Sequence, residues 1–296
     1  MTLEQLRIFV AVAERQHVTE AARALNLTQS AASAAIASLE ERHDVRLFDR
    51  VGRRIELTDT GRMFLPEARS VLARAEEAAA MLSAVTDLRH GRLRIAASHT
   101  VANYWLPPLL SLFHVAHPGI DCVVRIANSA RVEADVLEGE VDLGFVEDTP
   151  RDDALASVDV ARDQLALIVG RDHPFSGREG IDRDDLVAAD WIMREPGSGT
   201  RTMLEKALEH LGIARNAIGI ALELPSNEAV RSAVLAGAGI AALSRLVVES
   251  SIEEGRLKVL PFDLPVRHFS AVHHRQRHIS RAAAAFLSLA HTRSDP

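Results

Sequence analysis

The sequence predicts a mixed fold: an all-helical N-terminal part with a small wing hairpin, one long helix, and an α/β part built as two lobes. Three observations predict it. Apolar residues recur at helical spacing up to about residue 42, a segment rich in Ala, Leu, Arg and Glu runs from Thr58 to about Leu88, and strand-like and helix-like stretches alternate after Arg92. At 296 residues the chain exceeds what one core usually covers, so several domains are expected.

Leu3, Leu6, Phe9, Val10 and Ala13 form the first amphipathic stripe, ending near Gln16 and His17. Two short helices follow, over 20–25 with Thr19 as its cap and over 29–42 with Thr28 as its cap, with Asn26-Leu27 as the turn between them. On the second, Ala32, Ile36 and Leu39 share one face and read as core. Gln29, Ser30, Ser33, Ala34 and Ala37 are left towards solvent, which makes a helix-turn-helix with an exposed recognition face. A Gly52-centred turn flanked by Arg50, Arg53 and Arg54 reads as a wing hairpin. In the long helix, Phe64, Ala68, Val71, Ala75, Ala78, Leu82 and Val85 are spaced alternately four and three apart, a heptad seam suited to a second helix of the same kind, with Pro66 expected to kink its start.

After His90-Gly91 the rhythm changes to strands over 92–97, 122–126 and 141–146, with helices over 100–114 and 131–138, the pattern of a parallel sheet wrapped by helices. A second set follows: strands over 165–169, 191–193, 218–224 and 240–243, with helices over 200–211 and 227–235. A last strand over 268–272 and a helix over 280–289 are expected to return to the first lobe.

Composition excludes several classes. With 47% hydrophobic and 25% charged residues the chain is neither disordered nor fibrous, and no apolar run approaches membrane-spanning length. The N-terminus lacks the basic start and apolar core of a secretory signal, and Cys122 stands alone, so a reducing, cytoplasmic address is expected. The net charge of -7 is unevenly spread: residues 1–62 carry nine Arg against nine Asp plus Glu, so the rest of the chain carries the whole excess. No nucleophile elbow, Walker loop or dinucleotide fingerprint appears, and Ser98 beside His99 is no nucleophile–base pair, so an enzyme is not expected. His273, His274 and His278 read as surface residues; neither a metal nor a cofactor is expected.

Leu3-Glu4-Gln5-Leu6-Arg7-Ile8-Phe9, Thr19 to Leu25, Thr28 to Ser33, Leu47-Phe48-Asp49-Arg50 and Leu57-Thr58-Asp59-Thr60-Gly61 together resemble the LysR-type transcriptional regulators. The resemblance spans almost the whole chain. It implies a DNA-binding winged helix-turn-helix over 1–58, a dimerising linker helix over 59–89, and over 90–296 an effector-binding domain folded like periplasmic solute-binding proteins. The lobes of that domain would span about 90–161 with 267–296, and about 162–266. A homotetramer on double-stranded DNA is implied, with no membrane partner. Ser30 and Ala34 stand where the family often carries Pro and a long polar residue, so base contacts are expected to be sparse. Ala97 to Thr100, Asn103 to Pro107, Gly144 to Glu147 and Glu195 to Arg201 resemble the branch that includes regulators of sulfur assimilation and carbon fixation. A solute-binding transport component shares the sensor fold, but the N-terminal helices and the missing signal speak against it.

Candidate DNA contacts are Thr28, Gln29, Ser30 and Ser33 on the recognition helix and Arg50, Arg53 and Arg54 on the wing; a solvated helix face and salt bridges to Asp49 or Glu56 are their bland readings. Effector candidates lie where strand ends meet helix starts, the crevice where α/β sheets collect ligands. Ser98, His99 and Thr100 hold one such place and Gly197, Ser198, Gly199, Thr200 and Arg201 the other, with Asn128, Ser129, Ser226 and Asn227 at further helix starts. Free N–H groups, hydroxyls and helix N-termini favour a small anionic effector, an oxyanion or carboxylate; ordinary capping is the alternative. Glu147 follows a strand into the same crevice and could face a ligand ammonium, accept a proton from a hydrogen-bearing oxyanion, or neutralise Arg201.

Overall fold

The computed structural model describes residues 1–51, 54–83 and 91–292. These fall into two compact units, an N-terminal one ending at residue 83 that also takes in residues 138–140, and a second formed by the rest. In the first unit α1 (Leu3–Arg15) opens on a capping box between Thr2 and Gln5 and stops at Gln16, whose φ of 50° ends the helix. The next helix, α2 (Val18–Ala24), starts earlier than the hydroxyl pattern predicts. His17 is its cap, Nδ1 accepting from the Glu20 N–H at 3.4 Å, and Thr19 lies inside the first turn.

Asn26, at φ 56°, makes the tight turn into α3 (Gln29–His43), which Thr28 caps by accepting from the Ala31 N–H. Strands β1 (Phe48–Val51) and β2 (Arg54–Leu57) pair antiparallel, Phe48 opposite Leu57. Arg53, at the expected wing tip, lies outside the described residues.

The long helix, α4 (Asp59–Ser83), continues through Pro66. The start of its seam does not wait for a partner: Phe64 stacks 5.1 Å from Phe9, which also meets Phe48 at 5.4 Å, and Ala68 is fully buried in the same core. Val71 stays 40% exposed, so the unsatisfied part of the stripe begins there. Of the later seam positions, Leu82 lies within α4 and Val85 lies outside the described residues.

The second unit is built on a mixed sheet rather than a parallel one. Its order is β10 (Leu257–Val259), β6 (Leu155–Gly170), β11 (Val266–His274), β5 (Leu143–Glu147), β3 (Gly91–Ser98) and β4 (Ile120–Ala127), with β9 (Ala241–Ser244) also on β6. Strands β3 (Gly91–Ser98), β4 (Ile120–Ala127) and β5 (Leu143–Glu147) are parallel, as their alternation with α5 (Leu106–Ala116) and α6 (Ser129–Glu138) requires. The departure comes from β6 (Leu155–Gly170) and β11 (Val266–His274), which pair antiparallel along nearly their whole shared length and pass from one lobe to the other. Charged residues at Asp159, Arg162 and Asp163 interrupt the apolar pattern of β6, so only its 165–169 end is legible in sequence.

The second lobe adds α7 (Arg183–Ala188), β7 (Asp190–Arg194), α8 (Gly199–His210), β8 (Gly219–Leu224), α9 (Asn227–Leu235), β9 (Ala241–Ser244), α10 (Arg245–Glu253) and β10 (Leu257–Val259). The closing helix α11 (Arg281–Thr292) returns to the first lobe, where Phe286 meets Phe113 and Phe145 in its core. The second lobe has its own core around Trp191, Leu167 and Met193. The lobes keep separate cores and are joined by the two crossing strands, and at the seam between them Thr100 of the first lobe meets Asn227 of the second. Among the described residues no helix is long and apolar enough to cross a membrane.

Candidate functional site

On α3 the buried positions Ala32, Ile36 and Leu39 fix the rotation of the helix, so the opposite face carries Ser30, Ala34 and Ala37, all exposed, while Gln29 is exposed at the open N-terminal end of the helix and Ser33, expected to face solvent, is half-buried on its flank. Gln29 is pre-oriented, its Nε2 donating to Ser33 Oγ at 2.9 Å, and Thr28 Oγ1 lies 3.0 Å from Ser30 Oγ. The wing is anchored behind this helix: Glu40 Oε1 accepts from the Leu47 and Phe48 N–H groups at 2.7 and 3.2 Å. Arg50 and Arg54 sit in its two strands.

The seam between the lobes of the second unit holds a buried polar network. At its centre is Arg267, fully buried, whose Nε donates to Asp163 Oδ2 at 2.7 Å and whose Nη1 donates to Thr200 Oγ1 at 3.1 Å. Its Nη2 lies 3.7 Å from Glu147 Oε1. Ser129 Oγ donates to Glu147 Oε2 at 2.7 Å. Burial alone would push the Glu147 carboxyl up, but Arg267, hydrogen bonds from Ser129 and Thr100, and the Arg194 charge outweigh it and hold the group below the usual carboxylate range. Glu147 packs against the start of α8 so closely that a Cβ on Gly199 would come within 2.6 Å of Oε2.

Around this centre, Asn227 Nδ2 donates to Thr100 Oγ1 at 3.0 Å across the lobes, and Arg194 Nη1 donates to Asn227 Oδ1. His99 is part-exposed beside them, and burial and then Arg194 hold its ring below the usual imidazole range, so it stands neutral near pH 7. Two features are left open. Ser98 Oγ is buried without a hydrogen-bond partner, and Ser198, the residue before α8, makes no side-chain cap to that helix.

Comparison with known families decides what this arrangement belongs to. Residues 3–62 match the model for the bacterial regulatory helix-turn-helix protein of the lysR family, and residues 86–295 match the LysR substrate binding domain. The chain belongs to the LysR family of transcriptional regulators. Its HTH-type regulator relative YeiE, called uncharacterized, from Escherichia coli K12 is 36% identical over 290 residues, 97% of this chain and 96% of that protein. A "Probable RuBisCO transcriptional regulator" of Cyanophora paradoxa is 33% identical over 86% of this chain and 80% of its own length. Among solved structures, the regulatory domain of Synechocystis CcmR in complex with 2-PG superposes with a TM-score of 0.64 at 29% identity, covering 70% of this chain and 98% of that domain.

In this LysR-family chain, Ser129, Glu147 and Thr200 are linked at the seam through Arg267, Thr100 is linked to Asn227 across it, Gly199 packs against Glu147, and Ser98 is buried two residues before Thr100 at the end of β3. Others have different work. Asn128 caps α6, Oδ1 accepting from the Arg131 N–H at 3.0 Å, while Nδ2 reaches the Pro196 carbonyl at 3.4 Å. Ser226 is an ordinary cap of α9. Gly197, at φ 90°, provides the left-handed turn before α8, and its carbonyl accepts from the Ala130 N–H of the other lobe at 3.1 Å. Arg201 turns away from the seam to Glu205 at 2.8 Å, Glu223 at 2.5 Å and the Arg194 carbonyl at 2.9 Å, so it is not the partner of Glu147.

That partner is Arg267, which the sequence reading passed over. A signal was present. Extending the last strand one step towards its start, in the alternation of Phe269 and Ala271, puts Arg267 on the inward face, and a lone arginine facing a core must find carboxylates.

Proposed function

We propose that this LysR-family chain is a ligand-responsive regulator of double-stranded DNA whose effector is a small oxyanion or a carboxylate-bearing metabolite held in the seam between the lobes. The observation that carries the reading is Ser98 Oγ, buried and unpartnered at the carboxyl end of β3, because a buried hydroxyl without a partner costs free energy that a ligand would recover. The uncapped start of α8 supports it, as an N-terminus favours negative charge. Arg267 and Arg194 are each already paired with carboxylates, so recognition draws on hydroxyl and amide donors rather than on a spare guanidinium. The complex of the similar CcmR domain with 2-PG points the same way. Phosphate or minor-groove contacts are assigned to Arg50, Arg53 and Arg54, base contacts to Gln29, Ser30 and Ser33, and a homo-oligomer to the exposed stripe of α4 beginning at Val71. The proposal places the protein in the cytoplasm with its DNA.

Calorimetry with sulfite, sulfate, thiosulfate, phosphate and small carboxylates tests the effector site. Ser98→Ala is a cleaner probe than Thr200→Val, because Thr200 also accepts from buried Arg267 and its loss would strand that guanidinium. One hydrogen bond to a charged ligand contributes roughly 1.5 to 3 kcal/mol, so Ser98→Ala should weaken the best anion by roughly ten- to hundredfold. Its melting temperature without ligand should not fall, and should rise if anything, since no protein bond is removed and the cost of the buried, unpartnered hydroxyl is relieved. Failure of every anion on wild type, or unchanged affinity in Ser98→Ala, would overturn the site.

A further inference from the structure

The geometry points to a DNA half-site read largely through thymine methyl groups, with Ala34 and Ala37 of the recognition helix as the residues that select A·T pairs. The inference deepens the DNA-binding reading and rests on it. Three observations meet on α3. Its outward line, fixed by the burial of Ala32, Ile36 and Leu39 on the far side, is Ser30, Ala34 and Ala37, all exposed. A helix seated in the major groove by this face brings two methyl groups, and no long polar side chain, against the base edges. Of the groups displayed in that groove, only the C5-methyl of thymine rewards an apolar contact; an alanine facing a donor or acceptor of the other bases would desolvate it with nothing in return.

The neighbouring polar residue agrees. Gln29 spends one Nε2 hydrogen on Ser33 Oγ at 2.9 Å, which leaves its Oε1 acceptor and one N–H, the pair that matches adenine N6 and N7. An adenine read by Gln29 carries thymine on the other strand. Ala34 and Ala37 are three residues apart, about 4.5 Å along the helix axis, against about 3.4 Å per base-pair step. They therefore fall on the same or adjacent pairs. Beyond them Glu41 is exposed on the same line and its charge opposes the phosphates, so base reading is confined to the first turns.

The test is selection of full-length protein against a randomised duplex library, made once with thymine and once with deoxyuridine, which lacks the methyl. The thymine library should enrich half-sites with neighbouring A·T pairs. Deoxyuridine at those positions should weaken binding about fourfold for each methyl, the value of one buried methyl-sized group, with the salt slope unchanged because no phosphate contact is lost. Ala34→Gly should bind the thymine site more weakly and be indifferent to deoxyuridine at the position Ala34 reads; comparing the two duplexes within one variant cancels any loss of helix stability. Equal affinity for the thymine and deoxyuridine forms of the enriched site would overturn the inference while leaving DNA binding intact. So would an Ala34→Gly variant that still discriminates them as wild type does. If no duplex is enriched, the DNA-binding assignment of α3 falls with it.

Discussion

Replacing Arg267 with Ala should destabilise the effector-binding unit by about 3 to 5 kcal/mol, the cost of leaving buried carboxylates without their cation. Arg267 is fully buried, and Asp163 and Glu147, both buried, would remain with their shared guanidinium gone. For a unit of this size the loss should lower the melting temperature by roughly 10 °C. The pH dependence has a definite sign. In wild type Glu147 is held below its ordinary range, so its contribution is fully present above that range and disappears only as pH falls through the depressed value. In Arg267→Ala burial acts with its main opponent removed, and protonation of Glu147 relieves the variant. The gap between variant and wild type should therefore narrow as pH falls from neutral towards about 4. Melting curves across that range check it; an unchanged melting temperature, or a gap that widens with acid, contradicts the role given to Arg267.

Gly61→Ala should cripple the DNA-binding unit and spare the effector site. A Cβ at Gly61 would lie 2.2 Å from the Leu47 carbonyl oxygen and 2.8 Å from Leu57 Cδ2. The first of these is backbone and has no room to yield: the Leu47 carbonyl accepts from the Thr58 N–H at 3.0 Å, and Thr58 Oγ1 donates to the Arg46 carbonyl at 2.7 Å and accepts from the Gly61 N–H at 3.0 Å. α4 must lift away from the loop that carries the wing, at a cost of about 1 to 3 kcal/mol or more. Because the strain displaces the wing from its contact geometry, DNA affinity should fall by roughly five- to 150-fold, the range that about 1 to 3 kcal/mol corresponds to, while anion binding by calorimetry stays at the wild-type level. Full DNA affinity in the variant would show that the junction is not needed.

The two units differ in how legible they were. In the first, local signals set nearly everything: the Thr28 cap, the Asn26 turn and the period of Ala32, Ile36 and Leu39 placed α3 and its exposed face. Thr19 misled because His17, a less usual cap, stands two residues earlier. Phe64 and Ala68 fit a dimer seam and a domain core equally well, and only the packing of Phe9 decides between them. In the second unit a rule about where crevices form pointed to Ser98 and Glu147 at strand ends and to Gly199 at a helix start, and Glu147 and Gly199 do pack together.

The partner of Glu147 was not found, since its identity depends on the register that puts Phe269 opposite Glu147, a pairing between strands far apart in sequence. The helices α7 and α10 were missed although Asp182 with Asp185 forms a capping box and Ser244 accepts from the Leu246 N–H. Both are short, and their apolar positions are too few to make a period.

The central claim is that an anion in the seam is read out at the DNA, and the most direct test measures both ligands on one sample. Fluorescence anisotropy and footprinting of full-length protein on an enriched operator, with and without the anion that binds best, give the coupling in one direction; calorimetry of that anion on free and DNA-bound protein gives it in the other. The account predicts that the anion changes the footprint or the affinity, that any affinity change is equal in both directions as linkage requires, and that Ser98→Ala removes the effect. An anion that binds wild type tightly yet leaves the footprint and operator affinity unchanged would contradict it.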